Sequence, residues 1–246
     1  MRRSPAAVAL LALVLLVAGC GDDDQGGPGV AASATQPTAA TTATTAATSG
    51  GSSLPGERVE IYPYKDAQLA VAGVAAGDKL NVRSGPGTEF DVVYDLAPTA
   101  MNAAATGHNR SVGNAFWSEI SVDGRTGWAN TSFLLQPGQV DDVTASMFPT
   151  PAERPTAKTL AELGQAVARR RASEEPPSRI VVVEHPTVGD LGEVTVDVIG
   201  MGDDSVGGER LKVFAEPGPK GESFTVRTVE ATTFCSRGVA DDRRCV

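Results

Sequence analysis

The side chains most often used for nucleophilic or metal chemistry are few in this chain, which has three cysteines and two histidines among 246 residues. A nucleophilic cysteine needs a histidine beside it, and a catalytic zinc needs three protein ligands. His108 and His185 are far apart in the sequence, and no Gly-x-Ser-x-Gly segment offers a serine nucleophile. The sequence therefore predicts no catalytic residue, no metal and no cofactor. A carboxylate pair acting on a glycan stays open, because acidic residues are numerous.

Cys20 ends an N-terminal segment with the features of an export signal. Two arginines precede an unbroken apolar run, Ala6–Ala18, which is too short to cross a bilayer of about 30 Å but suits a secretory signal. The end of this run, Val17-Ala18-Gly19-Cys20, resembles a bacterial lipobox. The resemblance implies a signal peptide at 1–19, cleavage before Cys20, and a diacylglycerol on its thiol. We expect a lipid-anchored protein on the extracytoplasmic face of the cell membrane; a plain signal peptide with a chance cysteine is the alternative.

Cys235 and Cys245 are the remaining cysteines, and nine residues that include a turn-like Ser-Arg-Gly separate them. An exported protein meets an oxidising compartment, where a disulfide would close this short loop and stabilise the fold by about 2–3 kcal/mol. A metal pair and a redox couple are the alternatives, but no histidine is adjacent and the spacing is not Cys-x-x-Cys. We therefore expect a structural disulfide.

Composition separates a tether from the folded part of the chain. Residues 20–56 are mostly Ala, Thr, Ser, Gly and Pro without apolar periodicity, so we expect them to be disordered. The whole chain has 30 acidic and 21 basic residues, a net charge of −9. An acidic chain without a basic patch is a poor partner for nucleic acid or for anionic lipid. Membrane attachment would then depend on the acyl chains on Cys20.

The elements that must position a binding site begin at residue 57. Short strand candidates separated by turns recur through 57–136, which predicts a small β-barrel. Asp123-Gly124 tolerates the positive φ of a two-residue hairpin turn. The expected barrel core comprises Leu80, Val82, Ile120 and Trp128.

Three segments of this region resemble, in order, the bacterial SH3-like (SH3b) family. They are Leu80–Thr88, a strand centred on Trp117, and Asp123–Ala129. The first is an alternating strand that Ser-Gly-Pro-Gly stops abruptly. The middle departs from the family pattern, because 98–105 is rich in alanine where the family usually has Val and Ile, and 107–114 is a polar insertion. The resemblance implies a barrel that binds cell-wall peptide, peptidoglycan or an envelope protein.

Four residues of this region are candidate ligand contacts: Asn81, Arg83, Tyr94 and Trp117. An aromatic ring beside a planar guanidinium can hold an extended peptide by apolar contact and its carboxylates by bidentate hydrogen bonds. Arg83 can equally well bond across its own loop, in which case its role is structural.

The rest of the chain predicts a linker and a second domain. Residues 137–155 are rich in Pro, Gly and Asp and have no strand or helix period. In 156–246, Thr159 and Glu162 have capping-box spacing at the start of a helix, and the valines of 193–199 alternate with polar residues as in a sheet with one wet face. We expect an α+β domain with one helix on an antiparallel sheet, and a chain that is mainly β.

These patterns predict a non-catalytic envelope lipoprotein that binds cell-wall peptide, peptidoglycan or a protein partner through its SH3-like domain. The first alternative is an assembly or scaffold lipoprotein that acts through the second domain. The second alternative is a cell-wall hydrolase.

The lipobox predicts the behaviour of a Cys20→Ala variant. Without a thiol to acylate, the protein loses the acyl chains that hold it to the bilayer, and we expect it to move into the soluble fraction. Cell fractionation measures this change. Cys235→Ala leaves the lipobox intact and should stay with the membrane; retention of Cys20→Ala as well would contradict the lipid anchor.

Overall fold

One large antiparallel sheet organises residues 53–246, the part of the chain that the computed structural model describes. Its elements in chain order are β1 (Glu57–Arg58), β2 (Gln68–Val71), β3 (Leu80–Arg83), β4 (Val92–Leu96), β5 (Ala103–Val112), β6 (Ala115–Val122), β7 (Arg125–Asn130), a 3-10 turn (Thr131–Phe133), β8 (Leu134–Asp142), α1 (Thr144–Met147), a 3-10 turn (Pro151–Glu153), β9 (Thr156–Ala157), α2 (Leu160–Arg169), β10 (Arg179–Val188), β11 (Gly192–Ile199), β12 (Val206–Pro217) and β13 (Phe224–Cys235). The expected signal peptide at 1–19, the lipidation of Cys20 and the tether up to residue 52 lie outside the described residues.

The strand order along the sheet is β10-β11-β12-β13-β8-β2-β5-β6-β7-β3-β4, with β1 paired to β5 and β9 paired to β13. The path does not close, because β10 and β4 are its two ends. The prediction of a mainly β chain is confirmed. The finer prediction of an SH3-like barrel followed by an α+β domain stays a prediction. Neither helix of 53–246 has the length and apolar character needed to cross a membrane.

Two local signals of the sequence produce the elements expected of them. Asp123 and Gly124 have positive φ angles of 50° and 77° and connect β6 to β7 by a two-residue turn. Thr159 caps α2, because its side chain accepts from the Glu162 amide while the Glu162 carboxylate accepts from the Thr159 amide. The helix lies so close to the sheet that a Cβ at Gly164 would come within 2.7 Å of a β11 side chain.

The expected linker at 137–155 differs in the structure, because β8 runs through its first part and α1 follows. β8 pairs with β2 on one side and with β13 on the other. It therefore joins the N-terminal half of the sheet (β1–β7) to the C-terminal half (β9–β13). Pro137 has no amide to donate, and the ladder is irregular beside it, where the register shifts between Thr232 and Phe234. A local bulge thus keeps a Pro-Gly segment within the sheet.

The apolar interior has two main clusters and a small one between them. The first is formed mostly by β2–β7 and includes the expected core residues Leu80 and Val82. The second lies between α2 and β11–β13 and includes Leu163. The third joins Ala70 at the end of β2 to Phe234 of β13. The two halves therefore meet through buried apolar contacts as well as through β8.

The predicted pairing of the two C-terminal cysteines is confirmed. Cys235, the last residue of β13, is bonded to Cys245, with their Cα atoms 5.1 Å apart. The tail between them is also tied to β8, because Arg243 Nη2 donates to the carbonyls of Pro137 (3.2 Å) and Gly138 (3.0 Å). The disulfide thus fastens the C-terminal tail at the strand that joins the two halves.

A buried ion pair between β11 and β12 links the two halves directly. Arg210 donates to both carboxylate oxygens of Asp197, at 2.8 and 2.9 Å, and the two side chains are 7% and 0% exposed. Arg210 Nη2 also donates to the carbonyls of Val71 (2.8 Å) and Pro98 (2.9 Å), and the Gly73 amide donates to Asp197 (2.8 Å). The pair therefore holds the end of β2 and the loop after β4 against the C-terminal strands.

Removing one partner of this pair should destabilise the protein strongly. Arg210→Met leaves the Asp197 charge buried without a counterion and two carbonyls without their donor, so the free energy of unfolding should fall by about 3–5 kcal/mol. Lys212→Met on the same strand is the control, since Lys212 forms a half-exposed pair with Glu193 at 3.3 Å and should cost at most about 1 kcal/mol. Urea unfolding measures both variants, and equal losses would contradict the role assigned to Arg210.

Candidate functional site

The four candidate ligand contacts do not form a common exposed surface. Asn81 on β3 is exposed, and Arg83, two residues further on, is half-buried. Tyr94 on β4 and Trp117 on β6 have only 9% and 5% of their surface accessible. Trp117 is also separated from β3 by the intervening β7. Asn81 is therefore the one exposed member of the four.

Arg83 forms hydrogen bonds across its own loop. This is the structural role that the sequence leaves open for it beside ligand binding. Its Nη1 donates to the carbonyls of Phe90 (2.7 Å) and Thr88 (3.1 Å). The same loop is closely packed, because a Cβ at Gly85 would lie 2.5 Å from the Phe90 ring. The Ser-Gly-Pro-Gly loop is thus held in one shape by the Arg83 guanidinium and by the absence of a side chain at Gly85.

Tyr94 does pair with a guanidinium, but the partner is Arg125 rather than Arg83. The Tyr94 hydroxyl donates to the Arg125 carbonyl at 3.3 Å, and the guanidinium lies 4.6 Å from the centroid of the ring. Burial raises the pKa of the Tyr94 hydroxyl, and the nearby Arg125 charge opposes that rise. This aromatic–guanidinium contact therefore links β4 to β7.

A cavity of about 240 Å³ lies on the outer face of β5, β6 and β7. On β6, Glu119 alternates with the core residue Ile120, and on β7, Trp128 alternates with the core residue Ala129. Because successive side chains of a strand point to opposite faces, Glu119 and Trp128 face away from the core, and the two are cross-strand partners. The lining residues of the cavity are Leu54, Arg58, His108, Asn109, Arg110, Glu119 and Trp128.

The acidic group of this cavity is already paired. Glu119 Oε2 accepts from the Thr106 hydroxyl at 2.7 Å and lies 2.8 Å from His108 Nδ1. The His108 side chain remains 57% exposed, whereas that of Glu119 is 24% exposed. A hydroxyl and an imidazole thus hold the carboxylate.

The segment 54–58, which we call the strap, forms one wall of the cavity. Its last two residues are β1, which pairs with β5. Arg110 of β5 holds the rest, because its Nη1 donates to the carbonyls of Leu54 (2.8 Å), Pro55 (3.3 Å) and Gly56 (2.9 Å). One guanidinium therefore attaches the first three residues of the strap to the sheet, and the β1 pairing attaches the last two.

Gly56 allows the strap to approach β5 closely. Its φ is +77°, and a Cβ at this position would lie 2.2 Å from the Ser111 carbonyl oxygen. Only glycine tolerates both conditions without strain. The described end of the expected tether at 20–56 is therefore fixed on the sheet rather than disordered.

The sequence did not predict most of the residues that line the cavity. The polar insertion at 107–114 forms the second half of β5, and this extension brings His108 and Arg110 to the cavity. Trp128, expected in the core, is 4% exposed but lies outside the core cluster and on the cavity side. The sequence does contain one signal for this pair. A two-residue turn at Asp123-Gly124 fixes the register of β6 with β7, and that register makes Glu119 and Trp128 cross-strand partners.

No group of three or more His, Cys, Asp or Glu side chains within 53–246 is placed to hold a metal ion. No protein-family model, curated protein or solved structure matches this chain. The SH3b resemblance therefore depends on its motifs, and a function has to be argued from the cavity and its surroundings.

The loop contacts predict different effects for two nearby substitutions on β3. Arg83→Ala removes two hydrogen bonds from a charged donor and should lower the free energy of unfolding by about 1.5–3 kcal/mol. Asn81→Ala, at an exposed position of the same strand, should change it by at most about 0.5 kcal/mol. Urea unfolding followed by tryptophan fluorescence measures both, and a silent Arg83→Ala would show that the loop does not depend on this guanidinium.

Proposed function

We propose that residues 57–136 form a bacterial SH3-like module that binds cell-wall peptide, peptidoglycan or an envelope protein. The module belongs to a non-catalytic lipoprotein that is held at the extracytoplasmic face of the cell membrane by acyl chains on Cys20. The proposal combines the SH3b and lipobox resemblances with the cavity on the outer face of β5–β7.

The SH3-like assignment is supported by the way in which the motif residues are used. Leu80 and Val82 enter the β2–β7 core, while Arg83 ties the following loop to the strand. Asp123-Gly124 closes the hairpin between β6 and β7. The motif residues therefore have the roles that a small β-barrel needs, namely core packing, loop closure and a tight turn.

The segment 98–105, which departs from the family pattern, contacts both the core and the C-terminal half. Ala103 and Ala105 pack into the β2–β7 core as small residues, and the carbonyl of Pro98 accepts from Arg210 of the C-terminal half. A segment that contacts a second structural unit is under constraints that an isolated barrel does not have. The altered composition is therefore compatible with an SH3-like module built into a larger sheet.

The observation that carries the binding role is the cavity itself. It combines the small accessible part of the Trp128 ring, which is 4% exposed, with guanidinium and imidazole groups, and such sites use apolar contact for affinity and a few polar groups for orientation. Its volume of about 240 Å³ is below the roughly 300–1,000 Å³ of pockets for drug-sized molecules. The cavity is therefore suited to one residue of a larger ligand.

A groove in the C-terminal half favours the assembly role as a second candidate. It has a volume of about 470 Å³, and its lining residues are Asp142, Thr144, Ala145, Phe148, Pro149, Pro151, Arg154 and Thr228. Aromatic, proline, acidic and basic side chains occur together there, and such a mixed surface can contact another protein. In this role the SH3-like module is a spacer.

Sedimentation with purified cell-wall sacculi tests the wall-binding proposal. The full chain, kept soluble in detergent, should pellet with the sacculi. His108→Ala changes an exposed lining residue of the cavity and should weaken retention about tenfold, the effect of losing one polar contact. His185→Ala is the matched control, because His185 is exposed on β10 and is the other histidine of the chain; its retention should be unchanged.

Two results would count against the proposal. A chain that stays in the supernatant at every salt concentration does not bind the wall, and the assembly role then becomes the better explanation. Clearing of sacculi by the purified chain in a zymogram would contradict the non-catalytic role.

A further inference from the structure

We infer that the cavity binds the free carboxylate end of a peptide, and that this ligand fastens the strap to the sheet. The ligand class rests on the proposed function and specifies the chemical group that the module recognises. It follows from the unused donors of two arginines, from the single acidic group in the cavity and from the position of the strap.

The arginines of the cavity have donors that no described carboxylate uses. Arg110 donates to the strap through Nη1 alone, which leaves the Nε and Nη2 edge of its guanidinium without an acceptor among the described residues. That edge is the fork that binds a carboxylate by two parallel hydrogen bonds. Arg58 pairs with Glu60 at 3.4 Å, and these side chains are 66% and 79% exposed, so a ligand competes easily with that contact.

Glu119 determines which anion fits the cavity. Its Oε2 is held by Thr106 and His108, but the carboxylate still brings one negative charge to the site. A singly charged carboxylate is repelled less by Glu119 than a doubly charged phosphate would be. A neutral sugar would leave the guanidinium fork unused. The cavity therefore favours a carboxylate.

The apolar lining indicates that the carboxylate ends a peptide. Leu54 on the strap and Trp128 on the sheet are the large apolar lining residues, and they offer contact to the side chain next to the carboxylate. A volume of about 240 Å³ accommodates a terminal residue rather than a long extended segment. The rest of the peptide then leaves through the open side of the cavity.

Binding at this position couples the ligand to the strap. The strap contributes Leu54 and Arg58 to the cavity, whereas β5–β7 contribute the other lining residues. The strap's own attachment is the two-residue pairing of β1 with β5 and the three bonds from Arg110. A ligand that contacts both walls binds only when the strap is docked, and by linkage it must stabilise that docked position.

Calorimetric titration of the full chain in detergent with the tripeptide Ala-Ala-Ala, as the free acid and as the C-terminal amide, tests the ligand class. The free acid should bind about tenfold more tightly than the amide, because only the acid uses the guanidinium fork. Arg110→Lys keeps a charged donor for the strap carbonyls but has no fork, so it should remove most of this difference. Arg227→Lys is the matched control, since Arg227 is an exposed arginine of β13 that pairs with Glu216 at 3.7 Å outside the cavity lining; it should keep the full difference.

Hydrogen exchange tests the fastening of the strap. The Val59 amide, directly after the strap, donates to the Asn109 carbonyl at 3.1 Å. At a concentration near the dissociation constant of the free acid, the acid should slow exchange at Val59 and at the strap amides, whereas the more weakly bound amide peptide should slow it much less. Binding of the free acid without this protection would overturn the coupling.

The outcomes separate this inference from the proposed function. Equal affinity for acid and amide, or binding of neither, overturns the inference, while retention by sacculi would still support wall binding. Acid-specific binding without retention by sacculi supports the carboxylate site and overturns the wall-binding role. Displacement of the free acid by inorganic phosphate at equal concentration would overturn the carboxylate assignment, because the site would then accept any anion.

Discussion

The ion pair of Arg210 and Asp197 constrains how the two halves of the protein meet. Charges removed from water are tolerated only beside well-placed partners, and Arg210 finds its partners in both halves: the Asp197 carboxylate and the carbonyls of Val71 and Pro98. Its guanidinium also lies 5.2 Å from the centroid of the Phe234 ring, at the apolar junction. Another arrangement of the halves leaves a buried charge or carbonyl unpaired. The half that carries the cavity therefore has one orientation on the C-terminal strands.

Elements that depend on a few neighbouring residues could be predicted from the sequence. The Asp123-Gly124 turn, the Thr159 cap and the Cys235–Cys245 pair are of this kind. The strand β8 could not be predicted, because its Pro137 normally ends a strand. β8 stays in the sheet because its register with β13 shifts beside Pro137 and because Arg243 donates to its carbonyls. Both β13 and Arg243 are distant from β8 in the sequence. Local composition contains neither fact.

The candidate site divides in the same way. The sequence offers Arg83 and Tyr94 as candidate ligand contacts, but both residues use their polar groups within the fold. Arg110 lines the cavity instead, and the register of β5 with β6 determines its position. If the ladder at the start of β5 continued unchanged, His108 would lie opposite Trp117; an irregularity in β5 puts Arg110 there. A strand irregularity of this size cannot be predicted from the residue types.

The strap also determines where a pull on the N-terminal end enters the fold. Tension on the chain ahead of Leu54 acts first on the three bonds from Arg110 and next on the two residue pairs of β1 and β5. Neither apolar core is reached until these contacts have opened. β5 itself is secured by its longer pairing with β6. A pull on this end is therefore opposed first by the contacts of the strap and only afterwards by the packed sheet.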